Sequence, residues 1–526
     1  MMQLLHAPFF IKFFKTLRIL FLKKVFLASM SGASSLKKLG SQTLLYGMGT
    51  MLPRFLNYLL TPLLTYIFSE PVQYGIHSEL YSYIAFFNVI FTYGLETAFF
   101  RFSQKTGNNS KIFNITFTSI LFSTFIFSFI LYKFSDSISA VLHYENHPEF
   151  VLWCIGILAS DAILALPMAR FRQMEKPLPF ALLRVSNVLM NILLHVFIFV
   201  FVKRAYEANH HGGWISWYKP ETGIGYSFLC NLIANIFNII LLIPVLIQFR
   251  FQMDFKLYFE ILSYSWPLIL VGLAGMVNET FDRIILKHLL PLEEGMQAQG
   301  IYGACYKISI FMTLFVQAFR FAAEPFFFNR ATAADSMKLN AYVLKIFSQF
   351  CFFIFLLTSL NLPLLQYFIG EKYRVGIGVV PVLLMANAFL GIYYHLSIWY
   401  KISGHTLYGA WISLIGAGIT ILLNFIFVPL FSYYASAWTT LTAYFFMCFV
   451  SWRWGQKHYP APYNVRAIIF YGLFSILLYL ISLFFTNQDS LVVQLILNNL
   501  LVIPFVWLWI KWELPVFKKN YVAFKG

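Results

Sequence analysis

Apolar runs of about 20 residues, separated by short polar breaks, fill most of this 526-residue chain. A run of that length crosses a hydrocarbon core about 30 Å thick. Lipid offers no partners for free backbone N–H and C=O groups, so the crossing segments must be helices. Composition agrees: 60% of residues are apolar, 20% aromatic and only 11% charged, against about 25% charged in soluble domains. The spacing predicts spans at about 41–68, 74–102, 111–133, 147–169, 180–202, 222–248, 257–290, 301–329, 340–369, 379–400, 406–430, 434–455, 464–486 and 490–512. The expected fold is therefore an all-α polytopic membrane protein of about fourteen transmembrane helices. The longer runs must tilt, kink or leave the bilayer, and Pro53, Pro62, Pro267 and Pro325 offer kinks.

A formal net charge of +17 would suit a nucleic-acid binder if it were gathered on one tail or stripe. Here it alternates with the spans. Taking the N-terminus, every second loop and the C-terminus as one side collects about 25 of the 38 Lys and Arg residues. The other side collects about seven, including Lys203, Arg204, Lys372 and Arg374. That is the positive-inside pattern, with both termini cytoplasmic and no role for nucleic acid. Residues 1–34 stand apart: Lys12, Lys15, Arg18, Lys23 and Lys24 interleave with Phe9, Phe10, Phe13 and Phe14. They read as a basic amphipathic helix on an anionic membrane surface; the other reading starts translation at Met30.

The usual catalytic signatures are missing. There is no G-x-x-x-x-G-K-[ST] phosphate loop, no H-E-x-x-H helix and no G-x-S-x-G elbow. Cys154, Cys230, Cys305, Cys351 and Cys448 all fall in apolar runs and read as small buried residues. His210-His211, Trp214 and Trp217 sit in the longest external loop, but no third ligand accompanies the histidines. No metal and no cofactor is expected, and the chain does not read as an enzyme.

Within the spans the charges are few and patterned. Tyr74-Gly75 is followed by Glu79 and then Glu96, and Tyr302-Gly303 is followed at the same intervals by Lys307 and Glu324. Arg54 and Arg283 each precede their tyrosine by about 20 residues. Two related halves that bury charge at matching positions suggest a two-lobed transporter with its pathway between the lobes. Six basic residues remain after the loops are assigned: Arg54, Arg184, Arg283, Lys307, Arg320 and Lys345. Six acids remain as well: Glu79, Glu96, Asp161, Glu279, Asp282 and Glu324.

Arg54, Arg283, Lys307 and Arg320 are the candidate substrate-binding groups, since guanidinium presents forked donors matching phosphate oxygens. For Arg283, Asp282 and Glu279 offer a local ion pair instead. Glu79, Glu96, Asp161, Asp282 and Glu324 are the candidate gating or coupling groups. The repeat suggests that Glu79 pairs with Lys307 across the lobe interface as a gate. Glu96 and Glu324 are expected to neutralise Arg101 and Arg330 near their helix ends.

These residues resemble the polysaccharide-export branch, the O-antigen and capsule flippases, of the multidrug/oligosaccharidyl-lipid/polysaccharide flippase superfamily. The resemblance rests on Leu52-Pro53-Arg54 followed by Thr61-Pro62-Leu63-Leu64, and on Phe281-Asp282-Arg283. It rests also on Gly300-Ile301-Tyr302-Gly303 leading to Lys307, and on Arg170, Arg172 and Lys176-Pro177 before span 5. It runs from about Ser35 to the C-terminus.

The resemblance implies two pseudo-symmetric six-helix lobes plus two C-terminal helices, dividing the chain at 35–250, 251–456 and 457–526. It implies alternating access that carries undecaprenyl-pyrophosphate-linked oligosaccharide outward across the bacterial inner membrane. Expected partners are that glycan lipid, the phospholipid bilayer, and a polysaccharide polymerase with its chain-length machinery. Rival readings are a lipid II flippase, a cation-coupled multidrug antiporter of the same fold, and a membrane polysaccharide polymerase. The antiporter would be expected to centre its site on a carboxylate in the first lobe, where span 1 instead offers Arg54.

Overall fold

The computed structural model describes residues 47, 49–208, 213–329, 335–485 and 490–516. The amphipathic segment 1–34, His210-His211, the side chain of Trp214 and Arg330 lie outside the described residues. All regular structure among the described residues is helical. Eleven helices there are long and apolar enough to cross a membrane, or twelve if one bent pair is a single span. Two features reconcile that with the expected fourteen. The 53-residue unit Thr406–His458 is two spans joined at Ser432, where φ 50° and ψ −140° break the helix. The first span is only partly described.

The first lobe assembles from neighbours in the chain. Glu149–Gln173 packs on Asn109–Lys133 and on Tyr226–Leu246, and Tyr226–Leu246 packs on Pro177–Val196. Its core is aromatic, with Phe99, Phe113, Phe150, Phe180 and Phe228 fully buried. In the second lobe Ser336–Leu360 lies against Val379–Leu396, which lies against Thr406–His458. The appended helix Val465–Ser482 seats on Ser336–Leu360. Four of the five cysteines are buried and Cys154 half-buried, all as free thiols.

The kinks fall where backbone chemistry puts them. The first span turns at Leu59, just ahead of Pro62 in Leu60–Ile67; Pro62 has no N–H to donate to the Tyr58 carbonyl. The second span breaks at Tyr93 (φ 32°) and Gly94 (φ 71°), separating Pro71–Thr92 from Leu95–Thr106. Neither residue was an expected kink, because no proline marks the place; both residues adopt left-handed backbone, readily available to glycine. Span 8 bends by 53° between Leu292–Ile308 and Ile310–Phe321, at Ser309 and well before Pro325. The second span of each lobe is thus discontinuous.

The lobes meet along the two repeated segments, which face each other. Leu292–Ile308 packs on Pro71–Thr92, and glycine sets how closely. A Cβ on Gly300 would stand 1.8 Å from the Pro71 carbonyl oxygen, and one on Gly75 2.4 Å from the Met296 carbonyl oxygen. Small residues at such crossings let helix backbones approach within membranes. Phe255–Leu289 packs on both Pro71–Thr92 and Leu292–Ile308. At 35 residues it is about 50 Å long and outruns the hydrocarbon.

Candidate functional site between the lobes

Three polar chambers adjoin one another through shared walls. The first, about 530 Å³, is lined by Asn88, Thr92, Glu96, Asp161, Arg184, Asn187, Asn235 and Asn238 among others. The second, about 470 Å³, holds Arg54, Glu279, Tyr306, Lys307, Gln317, Arg320 and Tyr394. A third of about 230 Å³ lies between them and contains Tyr74, Asn191, His195 and Arg283. It shares Ala85 with the first and both Asn57 and Lys307 with the second.

All four candidate substrate-binding residues line this space. The break at Leu59 brings Arg54, Asn57 and Tyr58 against the second lobe, where they share a chamber with Lys307 and Arg320. Arg54 makes no ion pair among the described residues. Arg283 does not take the local pair that its sequence offers. Its guanidinium lies 4.1 Å over the Tyr306 ring, and its Nε is buried without a hydrogen-bond partner. Asp282 points elsewhere: its carboxylate accepts from Tyr302 Oη at 2.5 Å and from the Arg283 backbone N–H at 2.8 Å. Lys307 Nζ lies 5.1 Å over Tyr58. Arg320 is the one substrate candidate with a matched carboxylate, Glu324 at 3.3 Å. Glu279 faces the second chamber beside them.

The gating and coupling candidates separate. Of these, Glu96 and Asp161 reach a chamber; Glu79, Asp282 and Glu324 do not line any of the three. Glu79 is not paired with Lys307. Its carboxylate is held by Lys287 Nζ at 3.0 and 3.2 Å and by Tyr144 Oη at 2.5 Å. Lys287 also donates to the Leu142 carbonyl at 2.6 Å. Glu96 is bound by Arg172 rather than Arg101, because the break at Gly94 turns Glu96 toward Glu149–Gln173. Arg101 stacks 4.1 Å over Tyr264 instead. Glu324 pairs with Arg320 and with Lys401 at 2.5 Å. Asp161 accepts from Asn235 at 2.8 Å.

Arg172, Lys287, Lys401 and Glu513 are therefore the partners that sequence reasoning missed. Each sits near the end of a predicted span, where a charge reads as solvated loop. Lys345, counted among the buried cations, pairs with Glu513 at 2.5 Å across the appended helices.

Comparison with known proteins bears on the fold. A lipid II flippase MurJ in an inward closed conformation superposes with a TM-score of 0.68 at 13% identity, over 89% of this chain and 99% of that one. An inward-facing multidrug resistance transporter of the MATE family gives 0.54 at 13% identity, over 79% and 94%. A mutant of the Vibrio cholerae MATE transporter VcmN gives 0.52 at 14%, over 80% and 96%. Identities this low establish the fold alone. No curated protein matches by sequence. The profile described as Polysaccharide biosynthesis protein matches residues 39–331, more than half of the chain, and the chain belongs to that family.

Proposed function

We propose that this protein carries a pyrophosphate-linked glycan lipid, on an undecaprenyl carrier, outward across the bacterial inner membrane by alternating access. The physical problem is to pass a charged, hydrated headgroup through hydrocarbon, where an ion costs several kcal/mol even at a helix centre. Chambers between two lobes keep the headgroup in a polar environment while the prenyl chain stays in lipid. The observation that carries the reading is the set of cations on that space. Arg54, Arg283 and Lys307 line it without a carboxylate partner among the described residues. Arg283 keeps a buried donor free there. Forked guanidinium donors match phosphate oxygens, and a low local dielectric strengthens each contact.

Glu79 and Lys287 act as the gate at one end of the lobe interface. The charge pattern that puts both termini in the cytoplasm puts that end on the outward side. Polymerase and chain-length machinery would receive the glycan afterwards.

The test is transport in liposomes. Purified protein is reconstituted, and outward movement of an undecaprenyl-pyrophosphate-linked oligosaccharide is followed. Arg54→Ala and Arg283→Ala should each slow it about tenfold or more, the weight of one charge-assisted contact of ~1.5–3 kcal/mol. Unaltered rates in correctly folded variants would remove these assignments. Export of cationic dyes without movement of the glycan lipid would favour an antiporter.

A further inference from the structure

The first chamber differs in chemistry from the other two, and the headgroup reading leaves it unexplained. Four asparagines and Thr92 form its polar part, together with one carboxylate, Asp161, and one guanidinium, Arg184, which take no ion pair among the described residues; Leu164, Met168, Leu183, Leu242 and Met276 make its apolar lining. The remaining carboxylate, Glu96, is occupied by Arg172.

The walls are braced from behind. Asn187 donates to Asn235 at 3.0 Å. Asn235 in turn donates to Asp161 Oδ1 at 2.8 Å and to Ser160 at 3.0 Å. Asn238 accepts from Ser186 at 3.3 Å and donates to the Leu183 carbonyl at 3.2 Å. This network fixes the rotamers of Asp161 and Asn235. It leaves Asp161 Oδ2 and the Asn88 amide with no hydrogen-bond partner among the described residues.

We infer that this chamber is the saccharide subsite, taking an uncharged, hydroxyl-rich sugar next to the pyrophosphate, with Asp161 accepting from a sugar O–H or N–H. The inference rests on the glycan-lipid reading above. A sugar hydroxyl both donates and accepts, and side-chain amides do the same at two adjacent atoms, so an amide-lined wall complements a polyol from many angles. The lone Asp161 and Arg184 balance in charge, which suits a neutral ligand; a row of cations is what an anion would call for. A volume of about 530 Å³ falls within the ~300–1,000 Å³ of small-molecule sites. Ala85 lines both this chamber and the one holding Arg283, so a sugar here would lie next to a headgroup there.

Binding to the full-length protein in nanodiscs separates the two subsites. The probes are undecaprenyl pyrophosphate alone and the same lipid carrying one N-acetylhexosamine. Wild type should bind the sugar-bearing probe more tightly. Asp161→Asn keeps the bond from Asn235 but turns the free acceptor into a donor. It should weaken the sugar-bearing probe about tenfold and leave the sugar-free one unchanged. Asn88→Ala, which cuts no side-chain hydrogen bond among the described residues, should do the same to a smaller degree without disturbing the fold. Arg283→Ala should weaken both probes.

Equal wild-type affinity for the two probes, or equal losses on both in Asp161→Asn and Asn88→Ala, overturns the subsite while leaving the headgroup reading intact. Failure of wild type to bind either probe overturns the headgroup reading and the subsite with it.

Discussion

Glu79 and Lys287 stand 208 residues apart in the chain and meet as a buried ion pair at 3.0 Å, one from each lobe. Both side chains are excluded from solvent, at 0% and 1% exposure. Tyr144 and the Leu142 carbonyl complete their hydrogen bonding. A pair so enclosed is costly to break from one side only, because the survivor stays buried and uncompensated. That property suits a latch between lobes that must hold one state and then release as a unit.

Lys287→Met should therefore destabilise the closed interface by about 3–5 kcal/mol, and Lys287→Met with Glu79→Gln should recover much of the loss. Thermal unfolding in detergent and thiol labelling of a Ser78→Cys probe measure it. Labelling should rise in the single variant and fall back in the double. Equal labelling in all three would show that the pair does not hold the interface.

Gly300→Ala tests the helix crossing beside that latch. The added Cβ would stand 1.8 Å from the Pro71 carbonyl oxygen, a backbone atom that cannot swing aside. Overpacking of this kind costs about 1–3 kcal/mol or more. The variant should favour the state with this end open and lose transport while keeping its helical circular dichroism. Full transport activity would mean that the crossing loosens at little cost.

At Arg283 shape and charge can be told apart. Arg283→Lys keeps the cation but not the fork, and its ammonium cannot reproduce the stacking of the guanidinium on Tyr306 at 4.1 Å. Transport should fall nearly as far in Arg283→Lys as in Arg283→Ala. Recovery to wild-type rates with lysine would reduce the residue to a point charge.

The appended helices are tied on by Glu513, which accepts from Lys345 at 2.5 Å and from Gln349 at 3.0 Å. Glu513→Gln should strand Lys345 and lower the melting temperature, with a loss of about 3–5 kcal/mol. Glu513→Gln with Lys345→Met should melt closer to wild type. No change in the single variant would mean that water reaches the pair.

Several parts of this architecture were legible in the chain. The number and order of the spans follow from apolar length, though edges shift by up to nine residues, as where the expected span 301–329 begins at Leu292; the doubled Tyr-Gly motif pointed to two halves meeting where Glu79 and Gly300 now lie. Arg54, Arg283, Lys307 and Arg320 were chosen because they are charges inside apolar runs, and all four reach the interlobe chambers. Pairing was the weak point. The repeat put Lys307 opposite Glu79, but Lys287, two residues before the end of the 35-residue helix Phe255–Leu289, takes that place. Its position near a span end made it look like a loop charge. Glu96 was likewise assigned to a neighbour on its own helix, because nothing in the local pattern shows that Tyr93 and Gly94 interrupt the span.

What the amino-acid sequence determined alone is what short-range physics controls. Lipid demands internally bonded helices, so span number, helical class and many of the buried ions, though not Lys287 or Glu513, follow from composition and periodicity. Which ions neutralise one another was decided only by tertiary structure. A buried charge is satisfied by whatever reaches it through space, and the crossings at Gly75 and Gly300, with the breaks at Leu59 and Gly94, set those distances. The same packing left Arg54 and Arg283 without an ion pair among the described residues and set Asp161 among amides, and so placed a basic space between the lobes beside a neutral one in the first lobe.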